Sequence, residues 1–191
     1  VLNAYERLAS LNNNILLMQC NTNYTASDNN FDYINLNVLK TYKALFPDAV
    51  LGLSDHTHGH ETVLGAVTLG ARAIEKHFTD DTSRPGPDHL FSMDPTTWSA
   101  MVQSTRLLER ALGSTLKKVE ENEKETAILQ RRAIRVTRTV GAGEIVERSL
   151  IEFQRPCPED AIKPNDVNFV LGRALHHEVL EGDFLRIDDF R

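Results

Sequence analysis

The sequence predicts an α/β protein: about three βα units from the C-terminal part of a (β/α)8 barrel, followed by a small β-rich domain. Three observations support this prediction. Short apolar runs alternate with longer amphipathic ones over the first two-thirds of the chain, the composition changes after Gly113, and the spacing beyond Ala133 is β-like. We expect the barrel part at 1–116, a charged linker at 117–132 and the small domain at 133–191.

Three apolar runs have the length of buried strands: 15–20, 49–53 and 71–78. Each is followed by a segment with helical spacing, over 31–45, 61–69 and 95–112, and Asp94 is well placed to cap the last of them. Such alternation indicates a parallel sheet with helical crossovers, in a doubly wound sheet or a barrel. The sequence starts at Val1, inside a helical pattern, so we expect it to be a fragment of a longer protein. A longer protein favours the barrel, because a barrel typically needs ~250 residues.

The β-rich part contains an internal near-repeat. Val140–Val146 and Val179–Leu185 resemble each other at an offset of 39 residues. Each places an apolar pair directly after a turn of glycine and an acidic residue, and this pattern predicts two tight hairpins. A domain of about 60 residues is marginally stable alone, so we expect it to lean on a partner surface.

Composition narrows the function classes. The net charge is −6 and no basic stripe is present, which argues against nucleic-acid binding. No apolar run reaches the ~18 residues that a membrane span needs. The two cysteines are too few for a disulfide framework, and no leader is visible, so we expect a cytoplasmic protein.

The predicted strand ends carry the candidate chemistry. Alternation places Gly52, Ser54 and His56 on one face of a strand, and Glu75 and His77 on one face of the next. Neighbouring parallel strands lie ~5 Å apart, so both imidazoles can reach one point. Two neutral imidazoles suit a divalent transition metal with positions left for substrate and water. Two unrelated loop histidines are the alternative.

Other polar residues near these strand ends are expected to have different roles. His58 and His60, at the start of a helix, are expected to be solvated. Asp80 and Asp81 are expected to open a polar loop, with a metal-binding pair as the alternative. Lys76 precedes the second strand-end histidine and should face away from the barrel interior, which makes it a poor Schiff-base candidate.

Taken together, these motifs resemble the sialic acid (N-acetylneuraminate) synthase family. The matching motifs are GLSDHT at 52–57, EKHFTD at 75–80, RPGPD at 84–88, FSMDP at 91–95, GAGE at 141–144 and RP at 155–156. The resemblance covers 15–191 and implies a barrel followed by an antifreeze-like (SAF) domain.

The resemblance implies roles for the strand-end residues. His56 and His77 would hold a divalent ion, Mn²⁺ with Mg²⁺ or Co²⁺ as alternatives. Ser54 would bind phosphoenolpyruvate, whereas Tyr24 and Asp88 would contact an amino-sugar acceptor. The lysines that bind phosphoenolpyruvate in this family come from earlier barrel strands, which this sequence does not contain.

Two further positions bear on substrate and assembly. Arg155 resembles an arginine that reaches into a neighbouring subunit's barrel and bonds the acceptor's N-acetyl group, which implies a homodimer with swapped small domains. Thr22 replaces a substrate-contacting residue of many relatives, so its substrate-binding role stays open. The motif CNTNYT at 20–25 resembles legionaminic acid synthases more than N-acetylneuraminate synthases.

The implied reaction joins C3 of phosphoenolpyruvate to the open-chain aldehyde of N-acetylmannosamine or a 2,4-diacetamido-trideoxy sugar, and water addition at C2 then releases phosphate. Glu75 is a candidate to stabilise a cationic C2, with a structural partner for His77 as the alternative. A metal-dependent pyruvate aldolase and a non-catalytic carbohydrate-binding fragment are the alternative functions. We expect this chain alone to be inactive, because a partial barrel leaves sheet edges unpaired.

Overall fold

The computed structural model describes residues 1–190 and divides the chain into two compact units. The first unit is Val1–Thr115, and the second begins at Leu116. No helix in the described residues is both long and apolar enough to cross a membrane.

The first unit alternates strands and helices around a parallel sheet, as predicted. The strands are β1 (Leu16–Cys20), β2 (Val50–Asp55) and β3 (Ala73–Lys76), and the helices are α1 (Leu2–Ala9), α2 (Val38–Leu45), α3 (Glu61–Thr68) and α4 (Pro95–Leu112). The sheet order is β1-β2-β3, and both pairings are parallel. Leu51 and Leu53 of β2 pack with Leu39 of α2 and Ala66 of α3, so one face of the central strand is buried against helices.

The prediction of one helix over 31–45 is wrong. The chain forms a 3-10 helix at Asp28–Tyr33 and begins α2 only at Val38. Asn35 lies between the two helices with φ of 51°, and its Nδ2 donates a hydrogen bond to the carbonyl of Tyr33 at 3.1 Å. Asparagine tolerates this left-handed conformation better than most residues, so it divides the apolar pattern into two helices.

Two other predicted element boundaries can be compared with the structure: the end of β3 and the start of α4. The strand predicted at 71–78 is only Ala73–Lys76, so His77 lies just past its end. The predicted cap of α4 is confirmed: Asp94 Oδ1 accepts a hydrogen bond from Thr97 N at 2.7 Å, and Thr97 Oγ1 accepts one from Asp94 N at 3.0 Å. The backbone amide and the hydroxyl of Thr97 both donate to the Asp94 carboxylate and thereby lower its pKa.

The second unit is built on a two-stranded antiparallel sheet and a separate apolar core. Its elements are α5 (Lys124–Gln130), β4 (Ala133–Val136), β5 (Ile151–Gln154) and α6 (Val167–Val170). The core residues include Ile134, Val140, Val146, Val179 and Leu185.

The near-repeat is present, but the prediction of two hairpins is wrong. Val140 and Val179 exchange both backbone hydrogen bonds, at 2.9 and 3.0 Å, so the two copies pair with each other. The turn before the second half of each copy therefore does not join two neighbouring paired strands. Instead it directs the chain towards the other copy.

The remaining backbone pairing has an approximate two-fold relation about the Val140–Val179 pair. Val146 N donates to Arg173 O at 2.8 Å, and Leu185 N donates to Ile134 O at 2.8 Å. Every residue of the first bond is offset by 39 from its equivalent in the second. Because Val146 and Leu185 are both fully buried, this cross-pairing buries the apolar residue of each copy in one core.

We predict that Leu185→Ala lowers the free energy of unfolding of the second unit by about 2–5 kcal/mol, since it leaves a cavity where both copies meet. The matched control is Leu180→Ala, because Leu180 is 56% exposed whereas Leu185 is 0% exposed. Exchange rates of the Val140 and Val179 amide protons measure the change. Equal exchange rates in the two variants would contradict the central position of Leu185.

Candidate active site at the carboxyl ends of the strands

The register of the sheet brings the two strand-end histidines together. Ser54 is aligned with Glu75 and Asp55 with Lys76, so His56 and His77 follow at equivalent positions. Their ring centroids are 5.1 Å apart, and the ring planes are inclined at 67°. His56 is 3% exposed, and His77 is partly buried.

One nitrogen of each imidazole faces a neighbouring oxygen atom. His56 Nδ1 lies 2.7 Å from the carbonyl oxygen of Asn21. A carbonyl oxygen can only accept, so Nδ1 carries the proton and the Nε2 of the neutral ring keeps its lone pair. His77 Nδ1 lies 3.6 Å from Asp88 Oδ2, which is an ion-pair distance but too long for a hydrogen bond.

Aromatic rings pack around the histidine pair. The Tyr24 ring centroid lies 4.3 Å from that of His56 and 5.7 Å from that of His77. Phe91 lies 5.8 and 5.0 Å from the same two rings. Phe91 is buried and Tyr24 is 49% exposed, so the pair has an apolar ring on the protein side and a phenol towards solvent.

A buried polar network lies directly beside the histidines in sequence. Lys76 Nζ donates to Asp55 Oδ2 at 2.6 Å and to the carbonyl of Thr57 at 2.7 Å. Asp55 also accepts from Thr57 N at 3.1 Å, from Thr57 Oγ1 at 2.9 Å and from Thr62 Oγ1 at 2.6 Å. Both charged side chains are fully buried. Their alternation with the histidines and their aligned register were signals that could have identified this network.

The other predicted site residues are distributed as follows. Ser54 is buried at the end of β2, whereas Glu75, aligned with it on β3, is exposed. Thr22 is exposed in the segment after β1. Arg155 belongs to the second unit, where it is exposed and directly follows β5.

One expectation about the nearby polar residues is wrong. His58 is partly buried rather than freely solvated, and its Nε2 lies 2.8 Å from the carbonyl oxygen of Ala26 in the segment after β1.

The polar loop after β3 forms as predicted. Arg84 bonds Asp80 at 2.6 Å and lowers the pKa of that carboxyl, and hydrogen bonds from Ser83 lower the pKa of Asp81.

The donor set for a metal is partial within this chain. Among residues 1–190, no three His, Cys, Asp or Glu side chains are grouped as metal ligands. The observed pair nevertheless fits a divalent ion, because the hydrogen bond at His56 Nδ1 leaves Nε2 available as a ligand. Such a pair leaves positions for substrate, water or further side chains.

Comparison with known proteins identifies the family. The model of the NeuB family matches residues 1–117, which is more than half of the chain. The chain belongs to the NeuB family. The crystal structure of the spore coat polysaccharide biosynthesis protein SpsE from Bacillus subtilis is similar with a TM-score of 0.53 and 30% identity, covering 100% of this chain and 58% of that chain.

NeuB-family relatives carry several different names. The N,N'-diacetyllegionaminic acid synthase of Legionella pneumophila is 38% identical over 92% of this chain and 48% of its own length. The human N-acetylneuraminate-9-phosphate synthase is 38% identical over 60% of this chain and 31% of its own length. The chain spans about half the length of the first curated relatives that it matches. These names do not select one branch, so the legionaminic acid branch stays a prediction.

We predict that Asp55→Asn lowers the free energy of unfolding of the first unit by about 3–5 kcal/mol, because it leaves the Lys76 ammonium buried without its counter-charge. Urea unfolding followed by fluorescence of Trp98, the single tryptophan, measures this unit. The matched control is Asp80→Asn, which breaks the exposed ion pair with Arg84 and should leave the urea midpoint unchanged. An unchanged midpoint for Asp55→Asn would show that the ammonium has found another partner.

Proposed function

We propose that this chain carries part of the active site of a nonulosonic (sialic-acid-type) acid synthase. Such an enzyme condenses phosphoenolpyruvate with an N-acetylated amino sugar and releases phosphate. The observation that carries the proposal is the pair of imidazoles, 5.1 Å apart, at the ends of adjacent parallel strands in a NeuB-family chain. Active sites of barrel enzymes lie at this end of the strands.

His56 and His77 would hold a divalent ion through their Nε2 atoms, with Mn²⁺ proposed and Mg²⁺ or Co²⁺ as alternatives. Such an ion supplies Lewis acidity towards the carbonyl oxygen of the acceptor. The carbonyl of Asn21 orients the first imidazole, and the carboxylate of Asp88 faces the second. The hydrogen bond at His56 Nδ1 leaves the Nε2 of that ring available as a ligand.

The substrates would bind around this pair. Ser54, buried at the strand end, is proposed to bind phosphoenolpyruvate, and Glu75, aligned with it, to face the C2 carbon where positive charge develops. Tyr24 packs on the His56 ring and Asp88 lies near His77, and these positions support the proposal that both contact the acceptor sugar. Holding the two reactants in one orientation removes much of the entropic barrier to carbon–carbon bond formation.

Thr22 and the branch of the family form a narrower proposal. Thr22 is exposed two residues before Tyr24, which packs on His56, and this position supports a contact with the acceptor. The motif CNTNYT at 20–25 resembles legionaminic acid synthases, and two relatives with that name are 38% and 35% identical to this chain. We therefore propose a 2,4-diacetamido-trideoxy sugar as acceptor, with N-acetylmannosamine as the alternative.

The second unit is proposed to be an antifreeze-like (SAF) domain that serves the barrel of a partner subunit. Arg155 is exposed just after β5, so its guanidinium is available for an external ligand. The planar guanidinium presents several fixed donors and can select the amide oxygen of an N-acetyl group. This role requires a homodimer with swapped small domains.

The sheet of the first unit has free outer edges on β1 and β3 within the described residues. Parallel sheets are normally covered or continued at such edges. We propose that further barrel strands complete the site and bring the lysines that the family resemblance implies for phosphoenolpyruvate.

We predict that His56→Ala and His77→Ala each lower kcat/KM of the full protein by more than about 100-fold, because each removes a metal ligand. The measurement is phosphate release from phosphoenolpyruvate with a panel of 2-acetamido sugars and Mn²⁺. His176→Ala is the matched control, since His176 is exposed in the second unit. The 191-residue chain alone is expected to release no phosphate. Condensation of pyruvate without phosphate release would favour an aldolase, and no turnover would favour a carbohydrate-binding role.

We predict that Arg155→Ala costs ~1–3 kcal/mol of transition-state stabilisation and raises the acceptor KM, while phosphoenolpyruvate binding changes little. Mixing the weakened Arg155→Ala protein with the inactive His56→Ala protein should raise the activity above that of Arg155→Ala alone, because a hetero-dimer with swapped domains contains one intact site. Absence of recovery, after subunit exchange has been verified, would mean that Arg155 does not act on the partner's barrel.

A further inference from the structure

The buried ion pair between Asp55 and Lys76 stands at the last paired step of the sheet. Asp55 is the final residue of β2, Lys76 is the final residue of β3, and the two are aligned in the parallel register. His56 and His77 are the next residues in each strand direction, beyond the ordered ladder. The side-chain contact of 2.6 Å therefore joins the two strand ends at the position from which both imidazoles project.

The same network holds the backbone on both sides of His56. Before it, the Asp55 carboxylate is fixed by Lys76 and by Thr62 Oγ1. After it, the Thr57 amide donates to Asp55 at 3.1 Å, and the Thr57 carbonyl accepts from Lys76 at 2.7 Å. One ammonium thus bonds both neighbours of the first histidine while belonging to the residue before the second.

We propose that Asp55 and Lys76 are positioning residues that set the separation and direction of the His56 and His77 imidazoles for one divalent ion. This inference rests on the proposed function, because it assigns a purpose to a network that contacts the backbone beside the proposed ligands but supplies none of them. It goes beyond the ligand pair by identifying what fixes their geometry.

A purely stabilising role explains the network less well. A buried ion pair is often no more stabilising than well-packed apolar side chains of similar volume, because both charges lose their hydration. Charge-assisted hydrogen bonds in a dry interior do, however, hold fixed lengths and directions, and four donors around one carboxylate leave it a single arrangement. Substitution of residues that support metal ligands without binding the metal typically lowers metal affinity by about 10–100-fold.

The test separates position from stability by using single and double substitutions in the full protein. Asp55→Asn and Lys76→Met each leave a buried charge unpaired, whereas the double variant leaves none. Leu39→Ala is the stability control, because Leu39 is fully buried in the core beneath the sheet and takes no part in the network. Mn²⁺ binding to the folded protein is measured by electron paramagnetic resonance, and stability by urea unfolding.

We expect the Mn²⁺ dissociation constant to rise about 10–100-fold in both single variants and in the double variant, while the double variant regains much of the urea midpoint. Leu39→Ala should lower the midpoint with no change in Mn²⁺ affinity. Wild-type Mn²⁺ affinity in the double variant, or an equal loss of affinity in Leu39→Ala, would overturn the positioning role.

Failure of the proposed function itself has a different signature. In that case the unsubstituted full protein neither binds Mn²⁺ nor releases phosphate, and the positioning role falls with it. If the unsubstituted protein does both and the three network variants bind Mn²⁺ equally well, only the positioning role is wrong.

Discussion

The parallel pairing of β2 (Val50–Asp55) with β3 (Ala73–Lys76) is the constraint on which the candidate site depends. Its register aligns Asp55 with Lys76, and the histidines follow one residue later on both strands. Since side chains alternate between the faces of a strand, a slip of one residue on either strand would separate the ion pair and turn one imidazole to the opposite face. The same alignment therefore specifies both the buried ion pair and the histidine pair.

The close approach of the strands also depends on residue size. A Cβ at Gly52 would lie 2.8 Å from the carbonyl oxygen of Ala73 and 3.0 Å from the Met18 side chain. Backbone cannot yield as a flexible side chain can, so a larger residue here would push β2 away from its neighbour. Leu51 and Leu53, on the opposite face, bury the strand against helices. The site thus stands on a strand fixed from both sides.

Sequence periodicity predicted the features that depend on the alternation of side chains along a strand. It failed for features that depend on the conformation of one residue or on a partner distant in sequence. The histidine pair followed from the period of two residues. The division of the helix at Asn35 depends on one left-handed residue, which apolar spacing does not report. The hairpins were wrong because Val140 pairs with Val179, a partner that turn composition does not indicate. The buried ion pair of Lys76 with Asp55 was not predicted, because the alternation of Lys76 was used only to exclude it as a Schiff-base candidate.

In the second unit, Arg155 lies outside the two segments that are related by the approximate two-fold pairing. The related segments cover 134–146 and 173–185, and Arg155 lies in the stretch that joins them. Arg135 connects the related segments with the stretch that contains Arg155. Its guanidinium donates to the carbonyl of Gly182 at 2.7 Å and to that of Pro156 at 3.1 Å. The position related to Arg135 by the 39-residue offset is Ala174, which has no side chain able to do this. Arg135 therefore differs from its related residue at the place where the connecting stretch contacts the paired segments. The paired segments form the rigid part of the unit, and the Arg135 guanidinium fastens the Arg155–Pro156 segment to them.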